Sequence, residues 1–198
     1  MHAFANHELL ALELMCRSLV ILPNTEELKD FKQDIVETIH DEQRHLQLYI
    51  KRINELGYEF GDFGINDFFW KHGVKVQTPA QYCSFMSLTF EMANLDFSHF
   101  YEQKFREVED DNSTKIMREV FRDEIKHVKV GVDHLELWRE NNTLWDYYAT
   151  NLIFPLTPAR SRGINYQEKF RRTVGLNEDF ISNVSEFEDG FDITKRRP

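Results

Sequence analysis

Asp41–His45 reads DEQRH and Asp123–His127 reads DEIKH, so the same order of aspartate, glutamate, basic residue and histidine occurs twice in one chain. A helix advances by about 100° per residue, and a glutamate and a histidine three positions apart therefore project from the same face. Two side chains placed in this way can bind one ion. The repeated pentapeptide predicts a metal-binding helix at each of the two positions.

Each pentapeptide also follows an earlier glutamate at nearly the same interval. Glu8 precedes Glu42 by 34 positions, and Glu91 precedes Glu124 by 33 positions. The hexapeptides that begin at the two upstream glutamates, ELLALE and EMANLD, both start and end with an acidic residue. An approximate two-fold relation between two helical hairpins follows from this match.

The acid that ends each hexapeptide is the alternative upstream ligand. Glu13 and Asp96 would preserve the same symmetry as the glutamates that begin the hexapeptides. Glu8 is preferred because it shares the apolar stripe of the first helix. Glu91 is preferred because of the matched spacing and two neighbouring leucines on its stripe.

Four glutamates and two histidines arranged in this way describe a dinuclear metal site. The predicted ligands are Glu8, Glu42, His45, Glu91, Glu124 and His127. Four carboxylates in a helical core would repel one another, whereas two divalent cations supply four positive charges that cancel them. Carboxylate and imidazole ligands without thiolate suit iron or manganese, so we expect two iron ions, with manganese or a mixed iron–manganese pair as the alternative.

An aspartate stands directly before the glutamate of each pentapeptide. Asp41 and Asp123 are expected to accept the spare ring N–H of the opposite histidine, which would fix the tautomer of that histidine. The basic residues Arg44 and Lys126 are expected to pair with these aspartates, or else with the acids that end the two hexapeptides.

The composition indicates one acidic domain that does not bind nucleic acid. A chain of 198 residues with 41% hydrophobic content is long enough for one well-packed domain, taken as residues 1–198. The formal charge of −10 opposes binding to a phosphate backbone. A cationic stretch between Arg160 and Arg172 offers a local anion-binding patch, but a solvated face or salt bridges with neighbouring acids is the favoured interpretation.

Cysteine content and hydropathy favour a cytoplasmic protein. The two cysteines, Cys16 and Cys83, form no CxxC pair, which excludes a rubredoxin-type iron centre and favours a reducing compartment. The apolar stretch through Leu22 is interpreted as a helix of the mature protein and not as a signal peptide, because it contains Glu8 and Glu13. No run of about twenty uncharged apolar residues occurs, so no membrane partner is expected.

Apolar periodicity predicts an all-α fold with a four-helix bundle over about residues 2–140, and the predicted ligand pattern is that of ferritin-like dimetal bundles. The helices are expected at His2 to about Ile21, from an N-cap at Thr25 to before Gly57, from a capping box at Thr78, and after a corner at residues 110–113. The aromatic stretch 57–77 is then a long crossover between two antiparallel hairpins. A C-terminal extension, about residues 141–198, is expected to hold short helices near 145–152 and 166–174 and an acidic tail, with the last ten or so residues mobile.

The two pentapeptides and their upstream glutamates resemble the ligand motifs of the ferritin-like di-iron carboxylate superfamily. Its oxygen-activating members carry Asp/Glu-Glu-x-Arg-His after an upstream glutamate. Arg44 matches that pattern, and Lys126 departs from it but keeps the charge. Residues 7–14, 57–62, 91–96 and 123–128 are similar, more narrowly, to an uncharacterised bacterial family of ferritin-like proteins. The resemblance implies the fold and the metal ligands, and it implies no particular substrate.

The expected function is that of a dimetal oxidoreductase, which activates O2 to oxidise or hydroxylate a small organic substrate with electrons from an external donor. The alternative is iron handling, ferroxidase activity or peroxide reduction without an organic substrate. A third interpretation is a structural bundle whose ligands are vacant or hold zinc. The aromatic crossover is interpreted either as a lid or pocket wall, or as a cover of the bundle or of a homodimer interface.

Overall fold

The computed structural model describes residues 1–190, and the regular structure of this part of the chain is helical, without a strand. The predicted all-α class is therefore confirmed. The chain divides into two compact units. The first unit holds Met1–Gln77 and Tyr101–Val120, and the second holds Thr78–Phe100 and Phe121–Pro198. The ferritin-like arrangement of the long helices and the single domain stay predictions.

Two long helices supply most of the first unit. Helix α1 spans His2–Ile21, as predicted, and α2 spans Lys29–Glu55. A 3-10 turn at Glu26–Leu28 separates them. The prediction that Thr25 caps α2 is wrong, because Thr25 precedes the 3-10 turn and its side chain accepts no capping hydrogen bond.

The predicted crossover after α2 contains one short helix that packs on α1. Helix α3 spans Phe68–Gly73. A Cβ atom at Gly73 would lie 2.3 Å from Leu14 Cδ1, so glycine at this position lets α3 lie directly against α1. The part of the crossover before α3 exposes Phe63 and Ile65 to solvent.

The third predicted helix is present, but a π-helical stretch interrupts it. Helix α4 spans Pro79–Tyr82, the π-helical stretch Cys83–Glu91 follows, and α5 spans Met92–Glu107. We call Cys83–Glu91 the π-segment. Thr78 caps α4 as predicted, since its hydroxyl oxygen accepts a hydrogen bond of 3.1 Å from the backbone N–H of Gln81. The expectation of an uninterrupted α-helix is wrong, because an almost continuously buried stretch carries no clear period.

The fourth long helix, α6, spans Asp111–Trp138 and ends where its apolar stripe ends. Asp110 fixes the corner before it, because its carboxylate accepts hydrogen bonds from the backbone N–H of Ser113 and from Arg52 on α2. Burial alone would raise the pKa of Asp110, but these hydrogen bonds outweigh it and hold the pKa below its ordinary value. Asp110 therefore caps α6 and ties it to α2 within the first unit.

The extension after Asn141 forms short helices in the second unit. Helix α7 spans Leu144–Asn151 and α8 spans Glu168–Thr173, both close to their predicted positions. Between them lies a 3-10 turn at Pro158–Ser161. Helix α9 spans Glu178–Glu186, where an acidic tail was expected.

The acidic-tail prediction is wrong over α9 because this short segment has a well-defined apolar face. Phe180, Ile181 and Val184 are buried, and Asn177 accepts a capping hydrogen bond from the backbone N–H of Phe180. The mobility expected for the end of the chain falls on residues 191–198, which lie outside the described residues. Within the described helices, none combines the length and the apolar character of a membrane crossing.

The apolar stripe of α6 provides a direct stability test of the second unit. Leu135 is fully buried, whereas Leu137, two positions later on the same helix, is 74% exposed. We expect Leu135→Ala to lower the free energy of unfolding by about 2–5 kcal/mol, since it leaves a cavity. Leu137→Ala should change it by less than about 0.5 kcal/mol. Urea unfolding followed by circular dichroism measures both, and equal effects of the two substitutions would contradict this packing.

Candidate metal centre

The first unit brings three of the predicted ligands together. Glu8 lies on α1, and Glu42 and His45 lie one turn apart on α2. Each of the three offers a ligand atom within 4.8 Å of those of the other two. All three side chains are buried, with at most 2% of their surface exposed. We call Glu8, Glu42 and His45 the first ligand set.

The second unit brings the other three predicted ligands together. Glu91 is the last residue of the π-segment, and Glu124 and His127 lie one turn apart on α6. Their ligand atoms also lie within 4.8 Å of one another. The three side chains are at most 3% exposed. We call Glu91, Glu124 and His127 the second ligand set.

Each ligand set has the donors and the charge that suit one divalent transition-metal ion. Two glutamates and one histidine offer oxygen and imidazole nitrogen without sulfur, a combination that favours metals such as iron or manganese. Two ionised glutamates carry two negative charges, which one divalent cation cancels. Because buried charges are costly unless they are paired or bind metal, the burial of both sets fits a metal site.

The orientation of the histidines indicates which ring nitrogen would bind an ion. His45 Nδ1 lies 2.9 Å from Glu42 Oε2, and His127 Nδ1 lies 3.3 Å from Glu124 Oε2. An ion bound to the glutamate would therefore meet Nδ1, and the proton of the neutral ring would lie on Nε2. The predicted acceptance of that proton by the aspartate of the other pentapeptide stays a prediction.

The basic residue of each pentapeptide binds the aspartate of the same pentapeptide. Arg44 donates to Asp41 at 2.7 Å and to Glu119 at 3.0 Å. Lys126 donates to Asp123 at 3.0 Å. The expected pairing of these basic residues with Asp41 and Asp123 is confirmed, and each pairing fixes a carboxylate one position before a ligand glutamate.

Asn94 contacts the second ligand set through its side-chain amide. Its side-chain amide donates to Glu124 Oε1 at 3.2 Å and to Glu91 Oε2 at 3.5 Å. Asn94 follows Glu91 by three positions, so the two side chains lie on the same face of the helix. By holding one oxygen of each glutamate, Asn94 restricts how the two carboxylates can turn toward an ion.

In the structure, the upstream acids of the two ligand sets are Glu8 and Glu91, and the alternatives Glu13 and Asp96 belong to neither set. Glu13 is exposed on α1 and belongs to neither ligand set. Asp96 is buried, but it forms a bidentate ion pair with Arg171 at 2.5 and 2.8 Å. Its two oxygens are therefore engaged by a cation of the protein itself, which leaves Glu91 as the upstream acid of the second set.

Two arginines of the cationic stretch late in the chain, Arg171 and Arg172, form salt bridges with acids, in line with the favoured interpretation. Arg162 donates to the backbone oxygens of Ser185 and Phe187. Arg172 bridges two glutamates of the second unit, with a bond of 2.7 Å to Glu178. These guanidinium groups stabilise the extension and do not form an open anion-binding patch.

The buried charge of Glu42 predicts opposite effects with and without metal. We expect Glu42→Gln to raise the free energy of unfolding of the EDTA-treated protein by about 1–3 kcal/mol, because it removes the repulsion between the buried carboxylates of Glu8 and Glu42. Mn(II) at 100 times its dissociation constant should stabilise the wild type by about 2.7 kcal/mol and the variant far less. Denaturant unfolding with EDTA or Mn(II) measures both effects.

The matched control for this test is Glu37→Gln, which changes an exposed glutamate on the same helix. This control should behave like the wild type in both conditions. If Mn(II) stabilised Glu42→Gln as strongly as the wild type, Glu42 would not be a ligand.

Comparison with known proteins adds a family but no activity. The profile of a family described as "Protein of unknown function (DUF455)" matches residues 1–182, which include both ligand sets. Comparisons with curated proteins and with solved structures found no match. Since the match covers most of the sequence, the chain belongs to the DUF455 family.

Proposed function

We propose that the two ligand sets bind the two ions of one dinuclear centre, and that the protein is a di-iron oxidoreductase that uses O2 to oxidise or hydroxylate a small organic molecule. The observation that carries the proposal is the repeated composition of the sets. Each has two buried glutamates and one buried histidine, drawn from two helical segments. This is the ligand pattern of ferritin-like dimetal carboxylate bundles, in which the two sets face each other. The bundle arrangement is part of the proposal.

The number of protein ligands supports a reactive centre over a purely structural one. A structural site usually closes its coordination sphere with protein side chains, whereas a catalytic site keeps positions open for other ligands. The two glutamates and one histidine of each set would hold an ion and would leave coordination positions open for small oxygen ligands on a metal that prefers six ligands. Two redox-active ions, when bound, supply electrons and a binding position for O2.

The chain's own residues prepare the site for that chemistry. Burial of the six ligands excludes water from the carboxylates, which strengthens their interaction with cations. Asn94 orients Glu91 and Glu124, and the ion pair of Arg44 with Asp41 fixes the residue before Glu42. An external electron donor is required to return the metals to the reduced state.

Iron handling or peroxide reduction is the alternative function. The chain has two cysteines and no CxxC pair, so it lacks the rubredoxin-type centre of peroxide-reducing relatives of the ferritin-like group. The extension after Asn141 also forms helices that pack into the second unit, which a storage shell does not require. Both observations favour an organic substrate.

The direct test is anaerobic Fe(II) loading followed by exposure to O2 in the presence of a small-molecule cell extract. We expect about two tightly bound irons per chain, O2 uptake that accelerates with the extract, and at least one oxidised product in untargeted mass spectrometry. Metal analysis, an oxygen electrode and product analysis give the three results on the same sample.

The control variants lie on one helix. His127→Gln should lower extract-dependent O2 uptake by about 100-fold, whereas His134→Gln, whose ring stacks on Trp138, should leave it near the wild-type rate. Fewer than one iron per chain would contradict the dimetal centre. Iron uptake far beyond two ions, or peroxide consumption without any organic product, would contradict the oxygenase and support the alternative.

A further inference from the structure

A buried polar contact joins the π-segment to the extension. The hydroxyl of Thr89 donates to the backbone oxygen of Ser84 at 2.7 Å, and Thr89 Oγ1 lies 3.0 Å from the hydroxyl of Tyr148 on α7. All three residues are fully buried. The hydroxyl of Thr89 therefore links the backbone of the π-segment to α7. Burial raises the pKa of Tyr148 to about 12, so its hydroxyl keeps its proton at physiological pH.

A second buried contact lies just after the π-segment. Arg171 on α8 donates to the backbone oxygen of Met92 at 3.0 Å and to Asp96 Oδ2 at 2.8 Å. The carboxylate of Asp96 also accepts hydrogen bonds from the backbone N–H groups of Gly163 and Gln167. Arg171 is fully buried, and its charge is balanced by Asp96.

The extension also lies against the backbone of α5 at this point. A Cβ atom at Gly163 would lie 2.6 Å from the backbone oxygen of Ala93, so no larger residue fits there. Glu91 therefore stands between two anchors, with Thr89 bonded to Tyr148 on one side and Met92 bonded to Arg171 on the other.

A π-helix needs such anchors because it is intrinsically unfavourable. Runs with i→i+5 bonding are rare, are mostly single turns and often occur at functional sites, whereas the π-segment extends over nine residues. A return to α-helical bonding would shift the register by at least one residue. Such a shift turns a side chain by about 100° around the helix axis, which would remove Glu91 from Glu124 and His127.

We propose that Thr89, Tyr148 and Arg171 are positioning residues, which hold the π-segment in register and thereby place the Glu91 carboxylate in the second ligand set. The inference rests on the proposed metal centre, but it does not depend on the O2 chemistry. The first ligand set takes its residues from α1 and α2, which are α-helical throughout. The extension therefore controls the affinity of one ion and not of the other.

The test is a Mn(II) titration of the full-length protein, followed by electron paramagnetic resonance of free Mn(II). The wild type should bind two ions tightly. Thr89→Val, which keeps the shape of the side chain but removes its hydroxyl, should bind one ion with wild-type affinity and the other about 10–100-fold more weakly. Thr89→Ser restores the hydroxyl and should bind both ions like the wild type.

Matched controls separate positioning from general loss of stability. Tyr148→Phe should reproduce the effect of Thr89→Val, whereas Tyr147→Phe at the preceding, partly exposed position should have no effect. Thr173→Val removes an exposed hydroxyl that also donates to a helix carbonyl, and it should bind both ions like the wild type. Thermal unfolding of each variant confirms that the titration is done on folded protein, and Tyr148→Phe takes the place of Thr89→Val if the latter does not fold.

Two results would overturn the inference. If Thr89→Val and Tyr148→Phe bound both ions with wild-type affinity, the hydroxyl contact would have no positioning role, and the metal centre itself would stand. If both ions weakened together in proportion to a lower melting temperature, the network would be structural only. Wild-type protein that bound fewer than one Mn(II) would overturn the metal centre together with this inference.

Discussion

The burial of glutamate side chains is the constraint on which the rest of the structure depends. Four glutamates lie in the interior with at most 3% of their surface exposed, namely Glu8, Glu42, Glu91 and Glu124. Water does not solvate these groups, and a core of this kind is more stable with aliphatic residues unless positive charge compensates the carboxylates. Each ligand set has one histidine beside two glutamates, and one divalent cation would balance the charge of the two glutamates. The helices place these acids in the interior. The pairing of Arg44 with Asp41 fixes the residue that directly precedes Glu42.

The two ligand sets are alike in chemistry but different in backbone. The first set comes from regular α-helices that begin and end close to where apolar periodicity predicts. The second set depends on the π-segment, whose final residue is Glu91 and whose geometry is tied to the extension by Thr89 and Arg171. The extension therefore stabilises a backbone conformation in the second set that the first set does not have. The first set needs only the packing of two regular helices, whereas the second also needs the contacts between the π-segment and the extension.

The sequence predicted most of the long helices and the composition of both ligand sets, because these features depend on local spacing. The interval between Glu42 and His45 is a helical turn, and burial of the stripe around it follows from its apolar neighbours. The π-segment could not be predicted, since nearly every residue between Cys83 and Glu91 is buried and no period distinguishes α from π bonding. The hydrogen bonds of Asn94 to the glutamates of the second set depend on tertiary packing, although its spacing from Glu91 was visible in the sequence.

The extension was harder to predict for a related reason. Its charged residues, such as Arg171, look like surface residues in the sequence, but Arg171 is fully buried because Asp96 lies 75 positions earlier in the chain and pairs with it. Helix α9 was missed because three apolar residues in an acidic stretch are too few for a periodic signal. Long-range pairing of charges leaves no local pattern, and only the folded chain reveals it.

The central claim is that two cations lie on the two ligand sets, and anomalous X-ray diffraction at the iron edge tests it most directly. Crystals grown anaerobically with Fe(II) should show two anomalous peaks about 3.5–4 Å apart. One peak should be bound by Glu8, Glu42 and His45, and the other by Glu91, Glu124 and His127. A map without anomalous density at these six residues, or with iron only on exposed acidic side chains, would contradict the account.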